Sequence, residues 1–160
     1  MKRKFPIKRI TKKNTENNPN KKILNAQKVN YDGIQFKSKL ELFCYKKLKE
    51  YSIEFQYEKE RFMLFEGFRP TMQCYFPNKT GDMVLDITKL RNITYTPDFV
   101  GGNWIIETKG RANDTYGIKL KLFRALLEGN KTYKIFMEPH NQKQVMQCIE
   151  LIKNYKHENE

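Results

Sequence analysis

The alternation of apolar and polar residues predicts that folded structure begins near residue 29. The stretch 29–36 has the composition of short β-structure that turns at Asp32-Gly33. The residues before it are rich in Lys, Asn and Thr and show no apolar period, which is typical of a disordered segment. We therefore predict a basic disordered tail over residues 1–27 and one folded domain over residues 28–160.

Three later segments repeat apolar residues at the spacing of one helical face. The first begins at Ser38, with Leu40 and Leu48 among its apolar positions and several lysines on the other face. The second runs from about residue 114 to 128 and stops at a Gly-Asn pair. The third covers about 141–155. These segments predict three helices.

Other apolar runs predict strands. The first covers 53–57, where apolar and polar residues alternate. The runs 93–100 and 104–109 form a predicted hairpin across a Gly-Gly-Asn turn, and a further strand covers 132–137. Between them, residues 61–91 are broken by Gly and Pro and are predicted to be a β-rich, hairpin-like insertion. Helices that cover a mixed sheet give an α/β sandwich.

Composition narrows the class of protein. The chain has no apolar run of the roughly 18 residues that a membrane span needs, and no hydrophobic stretch follows its basic start as in a secretory signal. Cys44, Cys74 and Cys148 are scattered, without a C-x-x-C pair, which predicts reduced thiols in a cytoplasm. With only two histidines, a catalytic metal would need carboxylate ligands, and these favour a hard ion such as magnesium.

The charge suggests a nucleic-acid partner. The formal net charge is +13, and the first 30 residues hold ten Lys or Arg against the single acid Glu16. Such a tail would contact phosphates and make affinity strongly dependent on salt. The alternative is a solubilising arm that binds nothing.

One group of residues in the predicted hairpin could carry chemistry. The chain reads Pro97-Asp98-Phe99 and then, after the turn, Glu107-Thr108-Lys109. Glu107 lies eight residues after Phe99. Glu107 and Lys109 are two apart on a strand, so they project to one face, and the hairpin would return that face beside Asp98. Two carboxylates could hold magnesium for phosphodiester hydrolysis, while the lysine orients or helps deprotonate a water or stabilises charge. The alternative is a turn aspartate and an ordinary salt bridge.

Glu41 has two interpretations. Ser38-x-x-Glu41 fits a capping box, in which the glutamate bonds back to the first amide of the helix. Glu41 also follows Leu40 at the border of the apolar face, where its side chain could face the sheet instead. The sequence leaves both open.

A family resemblance covers these motifs. The segments Phe36–Glu41, Tyr51–Glu58, Tyr95–Phe99 and Ile106–Gly110 together resemble the bacteriophage endonuclease I family of Holliday-junction resolvases and the wider PD-(D/E)xK nuclease superfamily. The resemblance spans about residues 31–128. It implies a restriction-endonuclease-like αβββαβ core that cuts branched DNA to 5′-phosphate and 3′-hydroxyl ends.

The resemblance also implies roles for single residues. Magnesium, for which Mn²⁺ is expected to substitute, would be held by Asp98, Glu107 and the carbonyl of Thr108, with Glu41 assisting and Lys109 as the catalytic lysine. The protein would be a homodimer, intertwined by exchange of segments, in the cytoplasm of a phage-infected bacterial cell. The N-terminal arm and the 61–91 stretch are longer than in that resolvase family.

Basic residues near these motifs are candidate phosphate contacts, or alternatively solvated helix faces. They are Lys39, Lys46, Arg111, Lys119, Lys121 and Arg124. Two other functions remain open: a nuclease of the same superfamily with restriction, transposon-end or nicking specificity, and a basic nucleic-acid-binding protein without catalysis.

Overall fold

The computed structural model describes residues 28–110 and 115–159, with side chains through residue 155. The predicted tail over 1–27, the start of the second helix at 114 and the candidate contact Arg111 lie outside the described residues.

The described residues form ten strands and three helices, with seven consecutive strands between the first two helices. The strands are β1 (Val29–Tyr31), β2 (Ile34–Phe36), β3 (Gln56–Tyr57), β4 (Phe62–Phe65), β5 (Cys74–Pro77), β6 (Met83–Asp86), β7 (Ile93–Tyr95), β8 (Phe99–Val100), β9 (Trp104–Ile106) and β10 (Ile135–Met137). The helices are α1 (Lys39–Glu50), α2 (Tyr116–Gly129) and α3 (Gln142–Asn159). All three predicted helices are present, which confirms a mixed α/β fold.

The predicted N-terminal hairpin and the start of α1 are confirmed. β1 and β2 pair antiparallel around Asp32 and Gly33, whose φ angles are 56° and 72°. Two successive positive φ angles are what a tight hairpin turn requires. Ser38 caps α1, because its hydroxyl accepts a hydrogen bond from the amide of Glu41 at 3.1 Å.

A mixed four-stranded sheet forms the centre of the fold, in the order β10-β9-β8-β3. β10 runs parallel to β9, and the other pairs are antiparallel. Residues alternate between the two faces along the strands. Phe99 and Ile106 join a core with α1 and α3, whereas Val100 and Ile105 join a second core with Phe123 of α2. Helices therefore cover both faces of the sheet.

The insertion is β-rich, as predicted. β5 and β6 pair with each other as a hairpin, while β4 pairs with β7. The predicted continuous strand over 93–100 is wrong: it is divided into β7 and β8 at residues 96–98. Pro97 lacks the amide hydrogen that a ladder needs, so the pairing stops there.

Other predicted strands are shorter than expected. The run 53–57 contributes only β3, and 132–137 contributes only β10. β9 ends at Ile106, although the chain stays beside β10 for three more residues. In the part of the chain that the structure describes, no helix is long and apolar enough to cross a bilayer.

Candidate functional site

Asp98 and Glu107 lie side by side where the β8–β9 ladder ends. The register of that ladder, continued by one residue, places the two buried acids opposite each other. The ladder stops at this point, and the Asp98 carboxylate becomes the hydrogen-bond partner of Thr108. Its Oδ2 accepts from the Thr108 amide at 2.8 Å and from the Thr108 hydroxyl at 2.6 Å. Asp98 is therefore fixed against the strand that carries Glu107.

Glu107 and Lys109 share a face, as the sequence predicted. The amide of Glu107 donates to the Met137 carbonyl at 3.0 Å, and that of Lys109 donates to the Pro139 carbonyl at 2.9 Å. These alternate amides keep the segment extended, so the two side chains project together. Lys109 Nζ lies 3.2 Å from Glu107 Oε1. The salt bridge named as the alternative is thus present, in a setting where both partners are largely buried.

That salt bridge leaves half of the Glu107 carboxylate unpaired. Among the described residues, two buried side-chain polar atoms have no hydrogen-bond partner: Glu107 Oε2 and the Tyr95 hydroxyl. The Tyr95 hydroxyl and the Asp98 backbone amide are both near enough to lower the pKa of Glu107, yet neither meets Oε2 in hydrogen-bond geometry. Buried oxygens without a partner are rare and costly, so Oε2 is a natural point for a ligand.

Burial shifts the pKa of both acids upward. Burial raises the pKa of Asp98 to about 8, and the charges of Glu107 and, more weakly, Glu41 act in the same direction against the Thr108 hydrogen bonds. Burial also raises the pKa of Glu107, which Lys109 partly opposes. Asp98 and Glu107 lie side by side, so ionising both would place two like charges in one buried site.

Glu41 joins the acids from α1. Its Oε2 accepts from the Tyr57 hydroxyl at 2.9 Å and from the Lys37 amide at 2.9 Å. The Ser38 half of the predicted capping box exists, but the return bond goes to Lys37, one residue before the cap. The side chain is buried and close enough to Asp98 to raise its pKa. Both sequence interpretations therefore hold in part. We call Glu41, Asp98 and Glu107 the carboxylate cluster.

Further residues at this sheet edge follow β10 and were not predicted from the sequence. β9 and β10 are parallel, so their carboxyl ends meet at one edge, and Glu138 follows β10 as Glu107 follows β9. The Tyr116 hydroxyl donates to Glu138 Oε2 at 2.6 Å, and His140 Nε2 lies 3.1 Å from Glu138 Oε1. Lys109 Nζ lies 3.7 Å from the centroid of the Tyr116 ring. An acid directly after an apolar strand was the available signal.

Lys37 was also missed. Its ammonium pairs with Glu58, and the charges of Asp98 and Glu41 contribute to raising its pKa. Burial opposes this and is the largest single effect on the pKa of Lys37, which still ends above its usual value. A second cation thus lies at the margin of the carboxylate cluster.

The structure sets a limit on metal ligands. Within residues 28–110 and 115–159, no group of three or more His, Cys, Asp or Glu side chains could hold a metal ion. Glu41 Oε2 is already engaged by two donors. A cation held here by only two side chains, those of the adjacent Asp98 and Glu107, would take its further ligands from backbone or water.

The candidate phosphate contacts are mostly exposed. Lys39, Lys46, Lys121 and Arg124 are exposed and Lys119 is half-buried. Lys46 Nζ lies 4.2 Å above the Tyr31 ring, and Arg124 lines a cavity of about 600 Å³ between α2 and β10. Among the side chains described, none of these five bonds to the carboxylate cluster.

The fold and site define a mixed α/β protein with two adjacent buried acids and a lysine at one edge of its central sheet. A family model described as "Protein of unknown function (DUF1064)" matches residues 21–142, and the chain belongs to this family. No curated protein and no solved structure matches the chain.

Proposed function

We propose that this protein is a magnesium-dependent DNA endonuclease with a restriction-endonuclease-like core. The observation that carries the proposal is the convergence of Asp98, Glu107 and Lys109 at one sheet edge, with Glu107 Oε2 buried and unpaired in the described structure. The element order α1, β3, β8, β9, α2, β10 supports the αβββαβ core, since these strands form a single sheet.

The donor set fits a hard divalent cation. Asp98 and Glu107 would hold Mg²⁺ together with the Thr108 carbonyl, and Mn²⁺ is expected to substitute. The fit rests on the unpaired Glu107 oxygen and on the upward pKa shifts of two buried acids, which a cation would reverse. Bound there, the metal would neutralise charge on the scissile phosphate and acidify the attacking water.

The side chains supply the remaining functions. Lys109 stays on the Glu107 side of the site, where its ammonium can orient the attacking water or stabilise negative charge on the phosphate. Glu41 is held at Oε2 by Tyr57 and Lys37, and adds negative charge beside Asp98 from the direction of α1. The expected products carry 5′-phosphate and 3′-hydroxyl ends.

DNA is the proposed substrate, in branched form such as a Holliday junction. The net charge of +13 supports a polyanionic partner, and the exposed Lys39, Lys121 and Arg124 can contact phosphates beside the scissile bond. Junction preference rests on the resemblance of the motifs to the endonuclease I family. We place this activity in the cytoplasm of a phage-infected bacterium on the same ground.

We also propose that the protein is a homodimer. The β5–β6 hairpin pairs with no other strand among the described residues and exposes large apolar side chains on both faces. They include Tyr75, Phe76, Met83, Val84 and Leu85. A two-stranded hairpin is marginal alone in water, and an apolar patch of this kind favours a protein partner. The hairpin of a second copy is a partner with the same apolar faces.

A cleavage assay tests the activity. Purified protein is mixed with a four-way junction and Mg²⁺, beside Asp98→Ala and Lys109→Ala; Asp86→Ala and Lys153→Ala serve as controls outside the site. We expect cleavage by the wild type and the controls, and a loss of about 10²-fold or more in the two site variants with binding retained.

The substrate panel separates the alternatives. Equal cutting of junction, linear duplex and single strand would contradict branch selectivity. It would favour a nuclease of the same superfamily with another specificity. Binding without any cleavage, with Mg²⁺ or Mn²⁺, would overturn the nuclease and leave a basic nucleic-acid-binding protein.

A further inference from the structure

The ammonium of Lys109 is held on two sides. Lysine has a flexible four-carbon stem, so a fixed position requires contacts at its end. One contact is Glu107 Oε1 at 3.2 Å, and the other is the face of the Tyr116 ring, 3.7 Å from the ring centroid. An ammonium over an aromatic face is attracted by the ring quadrupole, most strongly where water is excluded. Tyr116 is buried.

The Tyr116 ring is itself anchored through its hydroxyl. That hydroxyl donates to Glu138 Oε2 at 2.6 Å, and His140 Nε2 lies 3.1 Å from the other oxygen of Glu138. The His140 amide in turn donates to Gln144 Oε1 at 2.6 Å, at the start of α3. The Tyr116 ring therefore lies between the Lys109 ammonium and the Glu138 carboxylate. His140, which contacts that carboxylate, is itself bonded to α3.

A backbone hydrogen bond links Lys109 to the same segment. The Lys109 amide donates to the carbonyl of Pro139, which lies between Glu138 and His140. The backbone and side chain of Lys109 thus depend on one short segment after β10. From this geometry we propose that Tyr116 is a positioning residue for Lys109, with Glu138 and His140 fixing its ring. What Lys109 does when positioned rests on the proposed function; the positioning itself does not.

Another tyrosine provides a matched control. The Tyr133 hydroxyl donates to Glu60 Oε1 at 2.6 Å, the same bond length and chemistry as in Tyr116–Glu138. Tyr133 also packs on the core that contains Tyr116. Among the described side chains no ammonium lies over its ring. Substitutions at Tyr133 therefore remove packing and a tyrosine–carboxylate bond while leaving the environment of Lys109 intact.

The first test needs neither metal nor DNA. Lysines of the metal-free protein are methylated reductively with ¹³C, and the Lys109 resonance is assigned by its absence in Lys109→Arg. We expect that resonance to lie upfield through the ring current of Tyr116. It should move to the position of exposed lysines in Tyr116→Leu and part of the way in Tyr116→Phe, and stay in Tyr133→Leu and Tyr133→Phe. Thermal melting checks that each variant folds.

Two results would overturn the proposal. One is a Lys109 resonance that already lies with the exposed lysines in the wild type. The other is an equal displacement by the Tyr116 and Tyr133 variants. Should Tyr116→Leu fail to fold, Tyr116→Phe against Tyr133→Phe decides, because both lose only a hydroxyl.

The second test uses cleavage of the junction. For Tyr116→Leu we expect kcat to fall by about 10²-fold with KM little changed, since a misplaced catalytic group affects the chemical step rather than substrate binding. Tyr133→Leu should keep kcat near wild type. An unchanged kcat in folded Tyr116→Leu contradicts the role in catalysis. Absence of cleavage by the wild type refutes the proposed nuclease and leaves the resonance test standing.

Discussion

Asp98 is a buried carboxyl that the fold prefers to keep protonated. Its pKa is raised from the usual 3.8 to about 8, chiefly by burial. A carboxyl whose folded pKa exceeds its unfolded value stabilises the fold fully below the unfolded pKa, and this contribution is lost as pH rises through the folded pKa. Without metal, this residue therefore opposes stability at neutral pH.

A pH series of denaturation experiments measures this effect. We expect the free energy of unfolding of the metal-free protein to decrease between pH 5 and 8, and Asp98→Asn to reduce that decrease. Mg²⁺ should restore stability at pH 8, because a ligand of the ionised form stabilises the folded state. The measurement is urea unfolding at each pH.

Asp86→Asn provides the control for this series. Hydrogen bonds to Thr88 lower the pKa of Asp86 below 3.8, so its contribution is lost only as pH falls below the range tested. The slope between pH 5 and 8 should therefore match that of the wild type. A wild-type stability that is flat or rises over this range would contradict the assignment of Asp98 as a buried, destabilised acid.

At the scale of elements, Gly67 fixes the base of the insertion. A Cβ at this position would lie 2.2 Å from the Leu90 carbonyl oxygen and 2.7 Å from the Arg91 carbonyl carbon, both backbone atoms. The Gly67 amide also donates to Asn92 Oδ1 at 2.8 Å. The two ends of the insertion therefore meet too closely for any side chain.

We expect Gly67→Ala to destabilise the protein by about 1–3 kcal/mol, as forced overpacking does. Gly117→Ala, in α2 where a Cβ would meet no described atom within 4 Å, should instead stabilise it by roughly 0.5–1 kcal/mol. Chemical denaturation of both variants beside the wild type gives the comparison. Equal stability of Gly67→Ala and the wild type would mean that the backbone at the base of the insertion shifts to accommodate the added methyl group.

The β5–β6 hairpin should control the oligomeric state. Phe76 pairs with Val84 across the hairpin, and their exposed fractions are 57% and 44%. We expect Phe76→Glu to convert a dimer to a folded monomer in sedimentation equilibrium, because a charge replaces apolar surface. Leu151→Glu, at a similarly exposed position of α3, should leave the dimer intact. A wild-type monomer at all concentrations would refute dimerisation through this hairpin.

At the scale of the whole molecule, positive charge is concentrated in the N-terminal part of the sequence. Residues 1–27 contain nine Lys or Arg and one Glu. Deleting them should weaken DNA binding and flatten its salt dependence, because each duplex phosphate that the protein neutralises adds about 0.9 to the slope. Affinity measured at several salt concentrations, with full-length and truncated protein, tests this. Identical slopes would exclude a role for this segment in binding.

The parts of the fold that were predicted correctly depend on bonds between residues close together in the sequence. Ser38 and the Asp32-Gly33 turn act through bonds within a few residues, and both were identified from the sequence. Asp98 and Glu107 were expected to be neighbours because one hairpin joins them, and the register places them opposite. The break at Pro97 could have been anticipated from its missing amide, but the apolar run around it suggested a continuous strand.

The missed residues depend on long-range pairing. Tyr116 and Glu138 meet only because β10 lies beside β9, across a connection that contains α2. No short-range pattern states which strands become neighbours after such a crossover. The return bond of Glu41 to Lys37 was missed for another reason. A capping box predicts that Glu41 accepts from the amide of the cap residue Ser38, whereas the observed donor is the Lys37 amide, one residue earlier.

The break between β7 and β8 makes the insertion and the buried acid close neighbours in the chain. Tyr95 ends the strand that pairs with β4, and only Thr96 and Pro97 separate it from Asp98. Proline fixes its own φ near about −65°, so this link is stiff. A change in the orientation of the insertion would therefore be transmitted through Thr96 and Pro97 to the Asp98 carboxyl group. A partner that binds the insertion would in this way affect the centre of the molecule.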